Sequence, residues 1–295
     1  MYLGYWELKE KPFENTPDPR FLYYSALHKE ALARLLYAVR ERKGAALLTG
    51  EYGSGKTLLS RVLWNELQQE NRYSSVFILN PRLSSLEFIQ EITHQLSAGE
   101  QLSANKLELF HTLHKLLYAA HNSGRHSVIV IDEAQAIQNM DIFEELRLLL
   151  NFQLDDAFLL SIVLLGQPEL RNIIAGIPQL TQRMAVRYHL SALNETETKE
   201  YVQHRLSVAG AKKELFDEEA YKEIWFCSLG IPRRINTICD LALLIGFGEG
   251  LKVIGRNVIL KVSEDLVFSE LRINSPFSSD SKDSIYPSPE DTRDV

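Results

Sequence analysis

The amino-acid sequence predicts an α/β fold in which a parallel β-sheet carries helices on both faces and an all-helical domain follows. Short apolar runs alternate with amphipathic stretches of helical spacing up to about residue 190, which is the pattern of a doubly wound sheet. From residue 195 onward the sequence contains helical patterns only. A glycine-rich turn at residues 50–57, GEYGSGKT, links the first apolar run to the helix after it. These observations place an α/β domain before a helical one.

The first 27 residues are rich in aromatic residues and prolines. They include the run Asn15-Thr16-Pro17-Asp18-Pro19, a composition typical of turns. We therefore predict an ordered, extended arm over residues 1–27 that packs on the rest of the chain. Apolar residues then recur at helical spacing over residues 32–39, which predicts a first helix at residues 28–42.

Four apolar runs predict strands of the α/β domain, because strands of a buried parallel sheet read as near-continuous Leu, Ile and Val; a short segment after them is the candidate for a fifth. The strands are expected at residues 45–49, 75–79, 127–131, 159–165 and 187–190. Amphipathic stretches predict the helices that alternate with them. These helices are expected at residues 56–69, 84–96, 106–121, 142–150 and 169–174.

Beyond a boundary near Ala192, four amphipathic stretches predict a lid made of helices only. They occupy residues 195–209, 217–227, 232–247 and 256–271. The sequence after them is polar and rich in Ser, Pro and Asp, a composition that cannot bury a core, so we predict a disordered acidic tail. The expected domains are the arm at 1–27, the α/β domain at 28–192, the lid at 193–272 and the tail at 273–295.

Charge and apolar content restrict the classes of function. The net charge of −7 argues against a wide electrostatic footprint on nucleic acid or anionic lipid. The N-terminus lacks the basic start of a signal peptide, and the longest apolar runs, 158–166 and 241–247, are far short of the ~20 residues of a membrane span. Cys227 and Cys239 are expected as small core thiols in a reducing cytosol. We therefore expect a cytoplasmic chain without direct membrane insertion.

The turn GEYGSGKT matches the pattern G-x-x-x-x-G-K-[ST] of a phosphate-binding loop. A buried strand before it and a helix after it are the context that this chemistry requires. Lys56 would reach the β- and γ-phosphates, and the Thr57 hydroxyl would hold Mg²⁺. A glycine-rich turn with an exposed lysine is the structural alternative. We predict ATP contacts from Gly50, Glu51, Tyr52, Gly53, Ser54, Gly55, Lys56, Thr57 and Leu58.

Two carboxylates follow the third strand in the run SVIVIDEAQ. Asp132 and Glu133 therefore lie at the carboxyl edge of the sheet, where ligands of open α/β sheets bind. We predict that Asp132 holds Mg²⁺ together with Thr57, and that Glu133 orients and polarises the water that attacks the γ-phosphate. The alternative is an acidic loop without a catalytic role.

Three further polar residues are candidates for the transferring phosphate. Gln167 follows the fourth strand, where a side chain could touch the γ-phosphate or its water. Arg183 is predicted to act in trans on the site of a neighbouring chain and is favoured over Arg187 for this role. Surface salt bridging is the alternative for both residues. In the lid, Arg233 and Arg234 lie at the start of the helix that opens with GIPRRIN. The two side chains cannot point the same way, so only one can lie over the phosphates, and Arg233 is favoured for that place.

These motifs, in this order, resemble those of AAA+ ATPases. The run KPFENTPDPRFLYYSALHKEAL, together with ELRLLLNFQL and LLGQPEL, is similar to the ATPase domain of the general secretion pathway protein A family, whose relatives serve pilus biogenesis and exosortase-associated export. The resemblance covers about residues 1 to 270. It implies an AAA+ domain with a helical lid, the arm near the adenine, and nucleotide bound between subunits of a ring or dimer.

The resemblance also assigns residue roles and leaves functions open. It implies that Gln167 is the sensor-one residue, Arg183 the arginine finger and Arg233 the sensor-two arginine. The family normally continues into a transmembrane helix and a periplasmic region, and the polar tail here leads us to expect a stand-alone relative or a membrane link supplied by a partner. An assembly ATPase with a protein client in a secretion or pilus machine, a DNA-transposition regulator and a nucleotide-bound scaffold remain alternatives.

Overall fold

The computed structural model describes residues 1–16, 18–99, 103, 105–155 and 157–273. Its sheet has five parallel strands in the order β2-β3-β4-β1-β5. The strands are β1 (Ala45–Gly50), β2 (Tyr73–Ile78), β3 (His126–Ile131), β4 (Leu160–Gly166) and β5 (Met184–Leu190). The predicted parallel sheet is thus confirmed, with β1 between β4 and β5.

Helices precede, connect and follow these strands. In the α/β part they are α1 (Ala26–Arg40), α2 (Lys56–Gln69), α3 (Ser85–Leu96), α4 (Lys106–Asn122), α5 (Asp141–Leu149), α6 (Glu169–Ala175) and the short α7 (Pro178–Thr181). The lid contains α8 (Glu195–Val208), α9 (Glu218–Ser228), α10 (Pro232–Gly248) and α11 (Arg256–Ile273). Two 3₁₀ turns lie at Pro19–Phe21 and Ala134–Ala136.

The last strand differs most from its predicted bounds, because it starts at Met184 and not at residue 187. Its side chains alternate between buried and exposed at its beginning, as expected for a strand at the edge of the sheet. Arg187 and His189 are polar, so β5 lacks the continuous apolar run that marks the buried strands.

Alternating strand residues place a separate apolar core on each face of the sheet. Leu47 and Ile129 point into the core covered by α3, α4 and α5. Leu48 and Val130 point into the core covered by α1 and α2. Helices therefore cover both faces, as predicted, and the buried strands hold their carboxyl ends in fixed register for the site described below.

The N-terminal arm is not extended, in contrast to the expectation, but folds into turns and the 3₁₀ turn Pro19–Phe21. Its aromatic residues complete the core of the helical lid. Trp6 is 2% exposed, and its Nε1 donates to the carbonyl oxygen of Leu243 at 2.9 Å. The Tyr2 hydroxyl donates to Asp240. Burial of these large rings, each worth about 1.5–3 kcal/mol, joins the arm to the lid.

Three other expectations concern the ends and surface of the chain. Cys239 is buried as expected, whereas Cys227 is only partly buried, and both are free thiols. Within the described residues, no helix has the length and apolar content to cross a membrane. The predicted tail beyond Ile273 lies outside the described residues.

His126 opens β3 and makes the fold sensitive to acid. Its ring is 3% exposed, and its Nε2 lies 2.9 Å from Ser161 Oγ. Burial lowers the pKa of this imidazole from 6.5 to about 3. Because the unfolded chain takes up the proton first, the stability from neutral His126 is complete above pH ~6.5 and is lost progressively as the pH falls towards 3.

We therefore expect the His126→Gln variant to lose less stability on acidification than wild type. At pH 5, about 1.5 pH units below the ordinary histidine pKa, the His126 contribution amounts to about 2 kcal/mol. Urea unfolding at pH 7 and pH 5 measures the difference. Parallel losses of unfolding free energy in both proteins would contradict the prediction.

Candidate nucleotide-binding site

The glycine-rich turn between β1 and α2 forms an open cradle at the carboxyl edge of the sheet. Gly53 and Gly55 have φ angles of 83° and 103°, a left-handed conformation that residues with side chains rarely adopt. Gly55 is the N-cap of α2 and offers it no side chain. The Leu58 N–H bonds to the Gly55 carbonyl oxygen at 3.0 Å, so the N–H groups of Lys56 and Thr57 are the ones that a bound anion can take up. The positive end of the helix dipole favours an anion there.

Lys56 lies in this cradle and is 4% exposed. Its Nζ donates to the carbonyl oxygen of Gly50 at 2.8 Å and to that of Glu51 at 2.9 Å. Burial lowers the pKa of its ammonium, and the carboxylates of Glu133 and Asp132 oppose that shift. Lys56 therefore binds its own loop, and phosphate oxygens can replace the two carbonyls as stronger, charged acceptors.

His28 of α1 supports the loop from behind. Its Nε2 lies 3.1 Å from the Ser54 carbonyl oxygen, and its Nδ1 lies 2.8 Å from Ser25 Oγ. Burial lowers the pKa of the ring, so the neutral form is favoured, with Nε2–H donating to Ser54. The Ser54 hydroxyl is buried and has no hydrogen-bond partner within the described part of the chain.

Asp132 is buried directly beneath the start of α2, with 1% of its surface exposed. It accepts hydrogen bonds from Ser60 Oγ at 3.1 Å, from the Glu133 N–H at 2.9 Å and from the Thr57 side chain. Burial raises the pKa of this carboxyl, and the three hydrogen bonds oppose that shift. The hydroxyl of Thr57 and the carboxylate of Asp132 thus lie in contact and are hard oxygen ligands of the kind that Mg²⁺ prefers.

Glu133 is half-buried and held by a residue that the sequence analysis did not identify. Its Oε2 accepts from Gln135 Nε2 at 2.5 Å, and Gln135 Oε1 accepts from the backbone N–H of Gln167 at 3.0 Å. Gln135 therefore joins the ends of β3 and β4. The only sequence signal was a polar residue two positions after the carboxylate, which is too common to assign a role.

A cavity of about 310 Å³ opens beside these residues, between the loop, the arm and the lid. This volume lies at the lower end of the range of small-molecule sites. Predicted site residues that line it are Tyr52, Gly53, Gly55, Lys56, Thr57, Leu58, Glu133 and Arg233. Gly50, Glu51 and Ser54 belong to the loop behind the cavity wall, and Asp132 is reached through Thr57.

A polar network at the far end of the cavity connects arm and lid. Arg205 donates to the Tyr201 hydroxyl at 2.8 Å, and Tyr201 donates to Asn236 Oδ1 at 2.8 Å. Asn236 in turn donates to Asn15 Oδ1 at 3.0 Å. The arm thus borders the cavity. These lid residues were not predicted because the contacts join positions far apart in the chain.

Arg233 lies over the loop. Its guanidinium carbon is 4.7 Å from the centre of the Tyr52 ring, and its backbone N–H donates to the Gly53 carbonyl oxygen at 3.2 Å. A Cβ atom on Gly53 would lie 2.5 Å from that of Arg233. Any side chain at position 53 would therefore separate the lid from the loop.

Arg183 lies away from the cavity of its own chain. Its guanidinium donates to the Leu150 carbonyl oxygen and to Asn151 Oδ1, both at 2.6 Å. The next residue, Met184, pairs with Ala45 at the start of β1, whereas the loop follows the end of β1. At about 3.3 Å per residue the two ends of this strand lie roughly 16 Å apart. Arg183 is therefore at the opposite edge of the sheet from its own loop.

Comparison with known proteins connects this geometry to a family. Residues 39–174 match the family described as AAA domain. General secretion pathway protein A of Aeromonas hydrophila is 39% identical over 252 residues, which are 85% of this chain and 46% of that protein. The chain thus spans about half the length of this curated relative.

Solved structures resemble the chain at low sequence identity. Cdc6p from Pyrobaculum aerophilum has a TM-score of 0.64 at 18% identity, over 88% of this chain and 74% of that one. The ORC2 protein of Aeropyrum pernix, solved as ADPNP-ADP complexes, has a TM-score of 0.63 at 16% identity, over 87% and 72% of the two chains. The RuvB Holliday junction branch migration motor of Thermotoga maritima reaches 0.54 at 20% identity, over 81% and 68%. At these identities the likeness shows the fold alone.

Proposed function

Because this chain carries an AAA+ domain related to general secretion pathway protein A, we propose that it hydrolyses ATP with Mg²⁺. The predicted AAA+ fold and family resemblance are confirmed. One observation carries the proposed activity: Lys56, Thr57 and Glu133 line the same cavity. A phosphate-binding lysine, a hydroxyl for the metal and a carboxylate base are the groups that hydrolysis of a nucleoside triphosphate requires.

Residues of this chain are assigned to phosphate binding, metal binding and proton transfer in the proposed reaction. The loop N–H groups and Lys56 bind the phosphates, while Thr57 and Asp132 hold Mg²⁺, which when bound neutralises phosphate charge. Glu133 accepts the proton of the attacking water. In this proposal Arg233 closes the lid over the phosphates and Gln167 contacts the γ-phosphate or its water. The exposed Tyr52 ring already positions the Arg233 guanidinium at the cavity.

Phosphate release by the purified chain tests this proposal. We expect turnover of ATP that requires Mg²⁺. The rate should rise more than in proportion to protein concentration, because Arg183 would act on the site of another copy of the chain. Absence of Mg²⁺-dependent turnover at every protein concentration would overturn the proposed activity and leave a nucleotide-bound scaffold. Turnover strictly proportional to concentration would argue against action between copies.

The arginine supplied between copies is proposed to be Arg183. Its position at the opposite edge of the sheet from its own loop supports action on a neighbour in a ring or a nucleotide-dependent dimer. We expect Arg183→Ala and Lys56→Ala each to be inactive alone and to recover turnover when mixed, since some interfaces then combine an intact loop with an intact arginine. Arg187→Ala, four residues further along the chain in β5, is the matched control and should retain turnover. Failure to recover at every mixing ratio would contradict the trans role.

We propose that the energy of ATP drives assembly or remodelling of a secretion or pilus machine, with a protein of that machine as client. The Aeromonas hydrophila relative supports this pathway, and the DNA-transposition alternative is not favoured. In this proposal the chain works in the cytoplasm, and a partner can recruit it to the inner membrane. Replacing the chromosomal copy by Lys56→Ala should stop secretion or pilus assembly. Normal assembly would refute the pathway without touching the enzymatic proposal.

A further inference from the structure

Gln135 has no place in the proposed reaction above, yet its side chain is central to the site. It lies in the 3₁₀ turn Ala134–Ala136 that follows Glu133. Its amide binds the Glu133 carboxylate on one side and the Gln167 backbone on the other. The end of β3 and the end of β4 are thereby tied together by one half-buried side chain.

The orientation of this amide follows from chemistry alone. The Gln167 backbone N–H can only donate, so the group facing it must be the carbonyl Oε1 of Gln135. The Nε2 group consequently faces Glu133, whose ionised carboxylate can only accept. A flipped amide would lose both hydrogen bonds. Only one orientation of the Gln135 amide therefore makes both hydrogen bonds.

The close packing around Gly166 keeps the amide in place. A Cβ atom on Gly166 would lie 2.7 Å from Gln135 Oε1 and 2.6 Å from Leu170 Cδ2. Glycine at this position therefore leaves the space that Gln135 occupies. The backbone of Glu133 has a φ of 51°, a left-handed conformation that costs about 1–2 kcal/mol for a residue with a side chain. An unusual backbone turn and a fixed amide together determine where the carboxylate lies.

From this geometry we infer that Gln135 is a positioning residue for Glu133. Its N–H occupies one carboxylate oxygen and leaves the other for the attacking water, while its anchor on Gln167 fixes the distance from the end of β4. The inference rests on the proposed hydrolysis. It adds that the base is oriented by the neighbouring strand and not by its own backbone alone.

The experiment compares Gln135→Ala and Gln135→Glu with wild type in ATP binding and turnover. Gln135→Ala should lower kcat by about 10- to 100-fold, the usual effect of removing a supporting hydrogen bond or misplacing a reacting group, with ATP affinity nearly unchanged. Gln138→Ala, an exposed glutamine in the same loop, is the matched control and should keep wild-type kcat. Wild-type turnover in Gln135→Ala would overturn the inference.

Gln135→Glu separates positioning from a merely structural role. Its carboxylate can still accept from the Gln167 N–H but has no N–H to donate to Glu133. We expect kcat to fall in Gln135→Glu as in Gln135→Ala, with ATP affinity and the free energy of unfolding near their wild-type values. Wild-type kcat in Gln135→Glu would overturn the inference even if Gln135→Ala proved poorly folded.

Wild type and Glu133→Gln, measured alongside, show whether the positioning role of Gln135 or the hydrolysis itself fails. An active wild type with unaffected Gln135 variants removes only the positioning role. An inactive wild type removes the proposed hydrolysis and the inference with it.

Discussion

Glu133→Gln is expected to bind ATP with wild-type affinity and to release phosphate about 10²- to 10⁴-fold more slowly, which is the usual contribution of a positioned general base. The substitution keeps the shape of the side chain, and its amide oxygen can still accept from Gln135 Nε2. What it removes is the ability to take a proton from water. Calorimetric ATP titration and phosphate release under single-turnover conditions measure the two quantities separately.

Glu169→Gln provides the matched control for this variant. Glu169 is exposed at the start of α6 and contributes to the electrostatic environment of Lys56. Its substitution removes the same charge from the same region without touching the cavity lining. We expect near-normal turnover in Glu169→Gln. Equal losses in both variants would show that local negative charge, and not proton transfer by Glu133, governs the rate.

The sequence was most informative where the structure depends on local pattern. The buried strands β1, β3 and β4 are continuous runs of apolar residues, so their existence and their carboxyl ends could be predicted closely. The loop between β1 and α2 has a fixed spacing of glycine, lysine and threonine, because each must stand at one place on a helix N-terminus. These elements bring Lys56, Thr57, Asp132 and Glu133 together, and the sequence had singled out all four as candidate site residues.

Contacts between residues far apart in the sequence could not be predicted from local pattern. The arm has an aromatic composition that indicates packing but not on what, and Trp6 finds its hydrogen-bond partner, the carbonyl oxygen of Leu243, at the far end of the chain. Gln135 gains its role only because the Gln167 N–H, 32 positions later, faces it. The edge strand β5 alternates and so lacks a continuous apolar signal.

Lys56→Ala is expected to weaken ATP binding by at least about 100-fold. Hydrogen bonds to charged groups contribute about 1.5–3 kcal/mol each, and Lys56 can give two of them to phosphates by exchanging the carbonyl oxygens of Gly50 and Glu51. A loss of about 3 kcal/mol corresponds to more than 100-fold in affinity. Thermal unfolding with and without a non-hydrolysable ATP analogue and Mg²⁺ measures this directly, because ligand at 100 times its Kd stabilises a protein by about 2.7 kcal/mol.

The matched control for Lys56→Ala is Lys43→Ala. Lys43 is exposed just before β1, at the opposite end of the strand that leads to the loop. Its substitution removes the same charge from the chain, so a general electrostatic effect on nucleotide would appear in both variants. We expect the nucleotide-dependent rise in Tm to persist in Lys43→Ala and to vanish in Lys56→Ala. An undiminished rise in Lys56→Ala would mean that the loop N–H groups and Arg233 hold the phosphates without the lysine, and the assignment of the phosphate-binding loop would then have to rest on its backbone alone.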